Sequence, residues 1–274
     1  MTIDTEARSE PKSTLQTMEV HDVWTRQFRS PENDRFYGMA FDYVAACFGS
    51  PGPDPVLDAG CGSAVKSIQL ARRGYRVLGL DFSAAILPHA RAAVEAEGLA
   101  SRTEFRQGDL TRLEFADGAF RRIVCWGVLM HVPAVADAIR ELSRVLAPGG
   151  TLVVSEGNWR SLQAVKLRWL KRLLGRERAE VLRTPAGLEF WEHTDSGRLM
   201  TRQADIPWLI AEFERNGLRL VRRRAGQFTE IYTILPWRWL RRMVHAFNHA
   251  WFRWVRRGGP AFGNLLVFVR PASG

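Results

Sequence analysis

A chain of 274 residues with 46% hydrophobic content can bury a full core and suits one large domain, or one domain with an elaborate insertion. No run of about 18 apolar residues occurs, so no segment reads as a membrane span. The net charge of +10 is concentrated at one end: residues 158–274 hold 22 Lys/Arg against 9 Asp/Glu, a balance of +13, together with eight of the ten tryptophans. Composition bias alone does not place charge at one end, so a basic surface is expected there.

Residues 1–14, polar and acidic with no apolar stretch, read as a disordered tail and not as a signal peptide. Residues 15–274 then form the domain. Helical apolar spacing appears over about 19–29 (Val23, Trp24, Phe28) and 33–48 (Phe36, Met39, Ala40, Tyr43, Val44, Phe48), and the turn Gly49-Ser-Pro-Gly-Pro53 ends it. Strands follow at about 55–59, 76–81, 103–107, 121–126 and 150–156, with helices at about 63–73, 84–97 and 134–147 between them. A helix over 205–216, capped by Asp205 and stopped by Gly217, precedes strands at 218–224 and Leu265–Val269. This alternation predicts a doubly wound, mostly parallel α/β sheet with helices on both faces. Cys47, Cys61 and Cys125 are far apart and lack ligand spacing, so no metal site is expected and a reducing, cytoplasmic setting is.

Ligands of such sheets bind beyond the carboxyl ends of the strands. The first strand ends in Asp58-Ala-Gly60-Cys-Gly62, where two glycines allow a tight turn and close approach of a ligand to the backbone. The sixth position counted from Gly60 is Val65, so the dinucleotide fingerprint is broken. A carboxylate beside the turn suits an ammonium better than a pyrophosphate. Asp81 ends the second strand, where it can accept both hydroxyls of a ribose, and Asp109 follows the third at the same rim. An amino acid end, a ribose and a base together would use all three acids.

Residues 55–156 resemble the class I S-adenosylmethionine-dependent methyltransferases, in the small-molecule group with an Asp-x-Gly-x-Gly loop. The resemblance rests on Val56–Gly62, Val77–Ser83, Gln107–Leu110, Ile123–Pro133 and Leu142–Leu152, in order and at matching spacing. It implies a Rossmann-like, seven-stranded sheet carrying a cofactor-binding core (50–156) with helical lid insertions (about 157–204 and 225–262). It also implies the cofactor S-adenosyl-L-methionine. Asp58, Gly60 and Gly62 would meet its methionine part, Asp81 its ribose, Phe82, Asp109 and Leu110 its adenine, and Trp126 would lie near its methionine end. Ala64 stands where the family often has a third glycine, so an altered cofactor contact is expected.

Methyl transfer needs an acceptor held in line, and a hydroxyl acceptor gains from a base. His131, after the fourth strand, is the first candidate for that base and His193 the second; Glu230 and Tyr232 are candidates for the acceptor pocket. Two basic, Trp-rich segments should set acceptor choice. In the first, Leu162, Val165, Trp169 and Leu173 share one side of a helix over about 159–174. In the second, over 236–257, Leu240, Val244, Phe247, Trp251 and Trp254 follow helical spacing, with Arg on other faces. They are read first as a lid with apolar faces packed inward, second as a contact with an anionic membrane surface, and third as Arg groups that grip an anionic acceptor. No RNA-binding module occurs, so nucleic acid is not the expected partner. The expected activity is methyl transfer, to oxygen, of a small or lipid-linked acceptor. The alternative is a non-catalytic cofactor-binding or membrane-associated partner protein.

Overall fold

The computed structural model describes residues 14–18, 21, 30–173, 180–194 and 197–272. The helix expected over 19–29 lies outside the described residues apart from His21. The first long helix, α1 (Pro31–Phe48), starts where the Ser30 hydroxyl accepts the Asn33 N–H and Pro31 presets the first turn; it stops at Gly49, whose φ is +73°. There follow β1 (Val56–Ala59), α2 (Val65–Arg72), β2 (Val77–Asp81), α3 (Leu87–Ala96), β3 (Thr103–Gln107), β4 (Phe120–Trp126), α4 (Val135–Val145) and β5 (Leu146–Gly157). Then come α5 (Leu162–Leu173), β6 (Glu180–Thr184), β7 (Gly187–Thr194), β8 (Gly197–Ala204), α6 (Ile206–Arg215), β9 (Arg219–Ala225), α7 (Arg238–Ala250) and β10 (Gly263–Val269). A π-helical turn, Trp251–Val255, prolongs α7.

Seven strands form one sheet in the order β3-β2-β1-β4-β5-β10-β9. The pairs among β1 to β5 are parallel, and β10 runs antiparallel to both its neighbours. The fold is the expected Rossmann-like doubly wound α/β sheet. Side chains alternate across it: Leu152 and Val154 of β5 join Leu142 of α4 and Phe213 of α6 on one face, whereas Val153 joins Phe36 and Phe41 of α1 on the other. The cap on α6 is as expected, with the Asp205 carboxylate accepting the Trp208 N–H at 3.2 Å. β5 begins earlier than expected, because Leu146 already pairs with Phe120 ahead of the Pro148-Gly149-Gly150 stretch.

Two expectations for the insertions fail. The 157–204 segment is not purely helical: after α5 it forms a separate three-stranded antiparallel sheet, β6-β7-β8. Thr184 and Gly187 pair across one strand connection, and Thr194 and Gly197 pair where β7 meets β8, which is hairpin chemistry that the basic helix next to this sheet obscured. The apolar face of α5 also does not pack inward, with Trp169 67% exposed. That of α7 does so only in part. Leu240, Val244 and Trp251 are half-buried, with Trp251 against Phe228, whereas Trp254 beyond it is 74% exposed and the buried residues of α7 are His245 and Asn248.

Candidate active site

A cavity of about 720 Å³ lies beyond the carboxyl ends of β1, β2, β4 and β5, beside the point where strand order reverses between β1 and β4. The turn after β1 forms its floor. The N–H groups of Gly60 and Cys61 donate to the Leu80 carbonyl at 2.7 and 2.9 Å, tying that turn to β2. Gly60 has φ +82°, and a Cβ there would overlap the methyls of Val128. Gly62, at φ +51°, donates its N–H to Asp81 Oδ2 at 2.8 Å. A Cβ on Gly62 would meet no protein atom within 4 Å, so the space beside it belongs to the cavity. Ala64 adopts φ +64° as the cap of α2, the left-handed conformation that explains why glycine suits this position.

Asp58 does not reach the cavity. It is 1% exposed and lies behind the turn, where Oδ2 accepts the Ser67 hydroxyl at 2.5 Å. Burial pushes its carboxyl up to about 6, opposed by Ser67 and Lys66. The expected direct contact with a methionine ammonium is therefore corrected: Asp58 holds the first turn of α2 in place.

The other rim residues converge. Asp81, Phe82, Asp109, Leu110 and Trp126 all line the cavity. Each Asp81 oxygen accepts one backbone N–H, from Gly62 at 2.8 Å and from Ser83 at 2.9 Å, and burial raises its pKa despite them. Asp109 Oδ1 accepts both the N–H and the hydroxyl of Thr111. Trp126 stacks on Phe41 at 5.3 Å, which fixes its ring at the end of β4.

The remaining ionisable groups of the cavity come from distant segments. His131 sits on the 3-10 turn Leu129–His131, with Nδ1 3.1 Å from the Met200 carbonyl of β8. A carbonyl only accepts, so Nδ1 carries the proton. Burial holds the imidazole down at about 4, and Arg202 adds to that effect, so the ring is neutral near pH 7. Glu156, at the end of β5, accepts the N–H groups of Val128 and Leu129 on Oε1, while its buried Oε2 has no hydrogen-bond partner. Burial pushes this carboxyl up to about 8. Glu230 also lines the cavity, and burial alone pushes it up to about 7.

Two expected residues are not brought here. His193 lies exposed on β7, opposite Arg198, because the outer end of that strand, Glu192 included, projects from the buried part of the small sheet. Tyr232 is buried behind the wall, donating to Gln227 Oε1 at 2.8 Å, with its ring tilted against His245 at 4.1 Å. The sequence reading passed over Glu156, although an acid ending a buried strand is the same signal that identified Asp81. It also passed over Leu15 and His21, which line the cavity next to the segment read as a tail, and Thr201 and Gln203 on β8.

A family model described as a methyltransferase domain matches residues 56–150. The ubiquinone biosynthesis O-methyltransferase of Xanthomonas campestris pv. campestris is 31% identical over 189 residues, covering 66% of this chain and 76% of that protein. The chain belongs to the class I S-adenosylmethionine-dependent methyltransferases. A protein of the same name from Alkalilimnicola ehrlichii is 35% identical over 123 residues, 44% of this chain, and the match spans about half (48%) of that relative. Magnesium protoporphyrin IX methyltransferase from Synechocystis PCC 6803, solved with bound SAH, shares the fold at TM-score 0.61 and 18% identity, covering 97% of this chain and 99% of that one.

The methyltransferase cofactor fits the residues present. The open space at Gly62 admits a chain against the backbone, the Asp81 oxygens keep acceptor capacity beyond the two N–H groups they hold, and Phe82 offers a flat apolar surface.

Proposed function

We propose that this methyltransferase acts on the hydroxyl oxygen of a small or lipid-linked acceptor that is mostly apolar, with Glu230 receiving the hydroxyl proton. One observation carries the reading: a single cavity holds the cofactor-rim residues together with Glu230, His131 and the apolar side chains of Met130, Val132 and Phe262. Among the described lining residues Lys66 is the only Lys or Arg, and it lies 5.3 Å over the Tyr37 ring. An acceptor that needed its phosphate or carboxylate gripped would find no guanidinium fork among these residues.

When bound, S-adenosylmethionine supplies a methyl group already activated on a sulfonium. The chain must hold the acceptor in line and take its proton. A carboxyl held near 7 matches that task better than an imidazole held near 4, because the best base has a pKa close to the working pH. Neutral His131, held through Nδ1 on the Met200 carbonyl, lines the same cavity as Glu230. Glu156 fixes the turn that carries His131 through the N–H groups of Val128 and Leu129. Two relatives named ubiquinone biosynthesis O-methyltransferase support transfer to oxygen, whereas a relative named sterol 24-C-methyltransferase makes carbon the competing outcome of the test.

The test is transfer of labelled methyl from S-adenosylmethionine to matched aromatic acceptors that differ only in bearing a hydroxyl, an amine or a carboxylate. Label on the hydroxyl series supports the reading. Label confined to amine, carbon or carboxylate products removes it, and cofactor binding by calorimetry with no transfer to extracted cell metabolites favours the non-catalytic alternative.

A further inference from the structure

Helices α5 and α7 each turn a stripe of large apolar side chains to solvent. In an ordinary surface helix, the apolar stripe faces the core and the polar face meets water. In α7 the buried residues are polar: His245, 5% exposed with its ring tilted against Tyr232, and Asn248, fully buried, with Leu240 and Val244 half-buried. The Asn248 side chain donates to the Thr229 carbonyl at 2.8 Å and accepts the Thr229 N–H at 3.1 Å. The stripe turned outward is Trp239, Met243 and Phe247. In α5 the inward residue is Ala164, and the outward stripe is Leu162, Val165, Trp169 and Leu173.

The two helices border the same loop. Gln163 of α5 accepts the Thr229 hydroxyl and the Glu230 N–H, and the Phe228 ring lies 5.2 Å from Phe247 and 4.4 Å from Trp251. The outward stripes therefore flank the loop that delivers Glu230 to the cavity.

Charge decides what covers them. No Asp or Glu occurs after Glu230, whereas 231–272 contains seven arginines. Six of these, Arg238, Arg241, Arg242, Arg253, Arg256 and Arg257, are exposed on α7 and its continuation. Glu32, 3.6 Å from Arg242, is the one carboxylate that a described ion pair sets against these six arginines, so a second copy seated face to face would set arginine mainly against arginine. An anionic lipid surface meets both demands: acyl chains take the Trp and Phe side chains, and headgroups take the guanidinium groups.

We propose that the outward faces of α5 and α7 together dock on an anionic lipid bilayer. Peripheral binding of this kind needs no spanning helix, and none of the described helices is long and apolar enough to cross a membrane.

The full chain should co-sediment with phosphatidylcholine vesicles that contain phosphatidylglycerol, release on raising salt, and show a blue shift of Trp emission. Trp239→Gln with Met243→Gln should reduce the shift, Trp169 remaining on the same face, and Arg241→Gln with Arg242→Gln should weaken sedimentation roughly tenfold or more. Thermal melting and cofactor affinity of both variants should stay as in the parent, which separates this result from a failure of folding or of the catalytic reading. Absence of binding to anionic vesicles at low salt, equal binding to pure phosphatidylcholine, or parental binding by folded variants overturns the proposal. So does a dimer by sedimentation that the same substitutions dissociate, which would assign the face to a second copy.

Discussion

The Arg202 guanidinium and the Glu189 carboxylate form a buried ion pair at 2.6 Å between neighbouring strands of the small sheet. The same guanidinium donates to the carbonyls of Leu129, Val132 and Pro133, so the β6-β7-β8 sheet grips the turn that carries His131. Arg202→Met leaves Glu189 uncompensated and three carbonyls without their donor. It should cost about 3–5 kcal/mol. Pairing it with Glu189→Leu should recover part of that loss, and a double-mutant cycle on chemical denaturation measures the coupling.

Glu230→Gln should lower kcat by about a hundredfold and leave cofactor affinity unchanged, because the loss falls on proton transfer. The parent kcat should rise with pH through about 7, where the carboxyl gives up its proton. The variant should lack that limb. A variant that keeps the limb would move the base role elsewhere.

Glu156 makes stability depend on pH. Its folded pKa of about 8 lies above the unfolded carboxyl value, so between the two the folded state binds the extra proton and stability falls as pH rises. Asp58 and Glu230 act in the same direction up to about 6 and 7. His131, held down at about 4, acts in the opposite direction and only below the ordinary histidine value. Between pH 7 and 8, the parent should lose about 1 kcal/mol of stability through Glu156, and a smaller share through Glu230, half titrated at 7. Denaturation of Glu156→Gln at the two pH values should show most of that difference gone.

Asp81→Ala removes the acceptor of the Gly62 and Ser83 N–H groups as well as a rim carboxylate. Cofactor affinity should fall roughly tenfold or more, since hydrogen bonds to a charged group are involved. Calorimetry that shows unchanged affinity would remove Asp81 from the cofactor cradle.

Ala64→Gly should change stability by less than about 1 kcal/mol. Relief of the left-handed alanine gains about 1–2 kcal/mol, while the added chain entropy of glycine and the lost buried methyl cost about the same together. Ala64→Val, β-branched at φ +64°, has no such balance and should destabilise clearly in a thermal melt.

The sheet and the cofactor rim were legible because their signals are local. Gly60, Gly62 and Asp81 each stand at the end of a strand, where turn chemistry and the reach of the next residue fix their direction. Asp58 was misplaced for a related reason: the pattern gives its neighbours in sequence but not that Ser67, a turn later, draws it behind the loop. Helical spacing identified the stripe Leu162-Val165-Trp169-Leu173 but carried no information on which way the helix turns. That choice depends on Gln163, held by Thr229 and Glu230 far along the chain. His131 was visible as a residue, whereas its neutrality depends on burial under β8 and on Arg202, which only the assembled chain supplies.

Strand β10 follows β9 in the chain but lies between it and β5, and β9 pairs with no other strand of the main sheet. Among the described strands, β9 therefore reaches the main sheet only through β10, a segment made after it. Phe262 and Gly263, which line the cavity, arrive with that segment. A chain cut before residue 262 would lose the partner of one strand and a wall of the binding chamber in the same event, and closing so distant a contact is intrinsically slow.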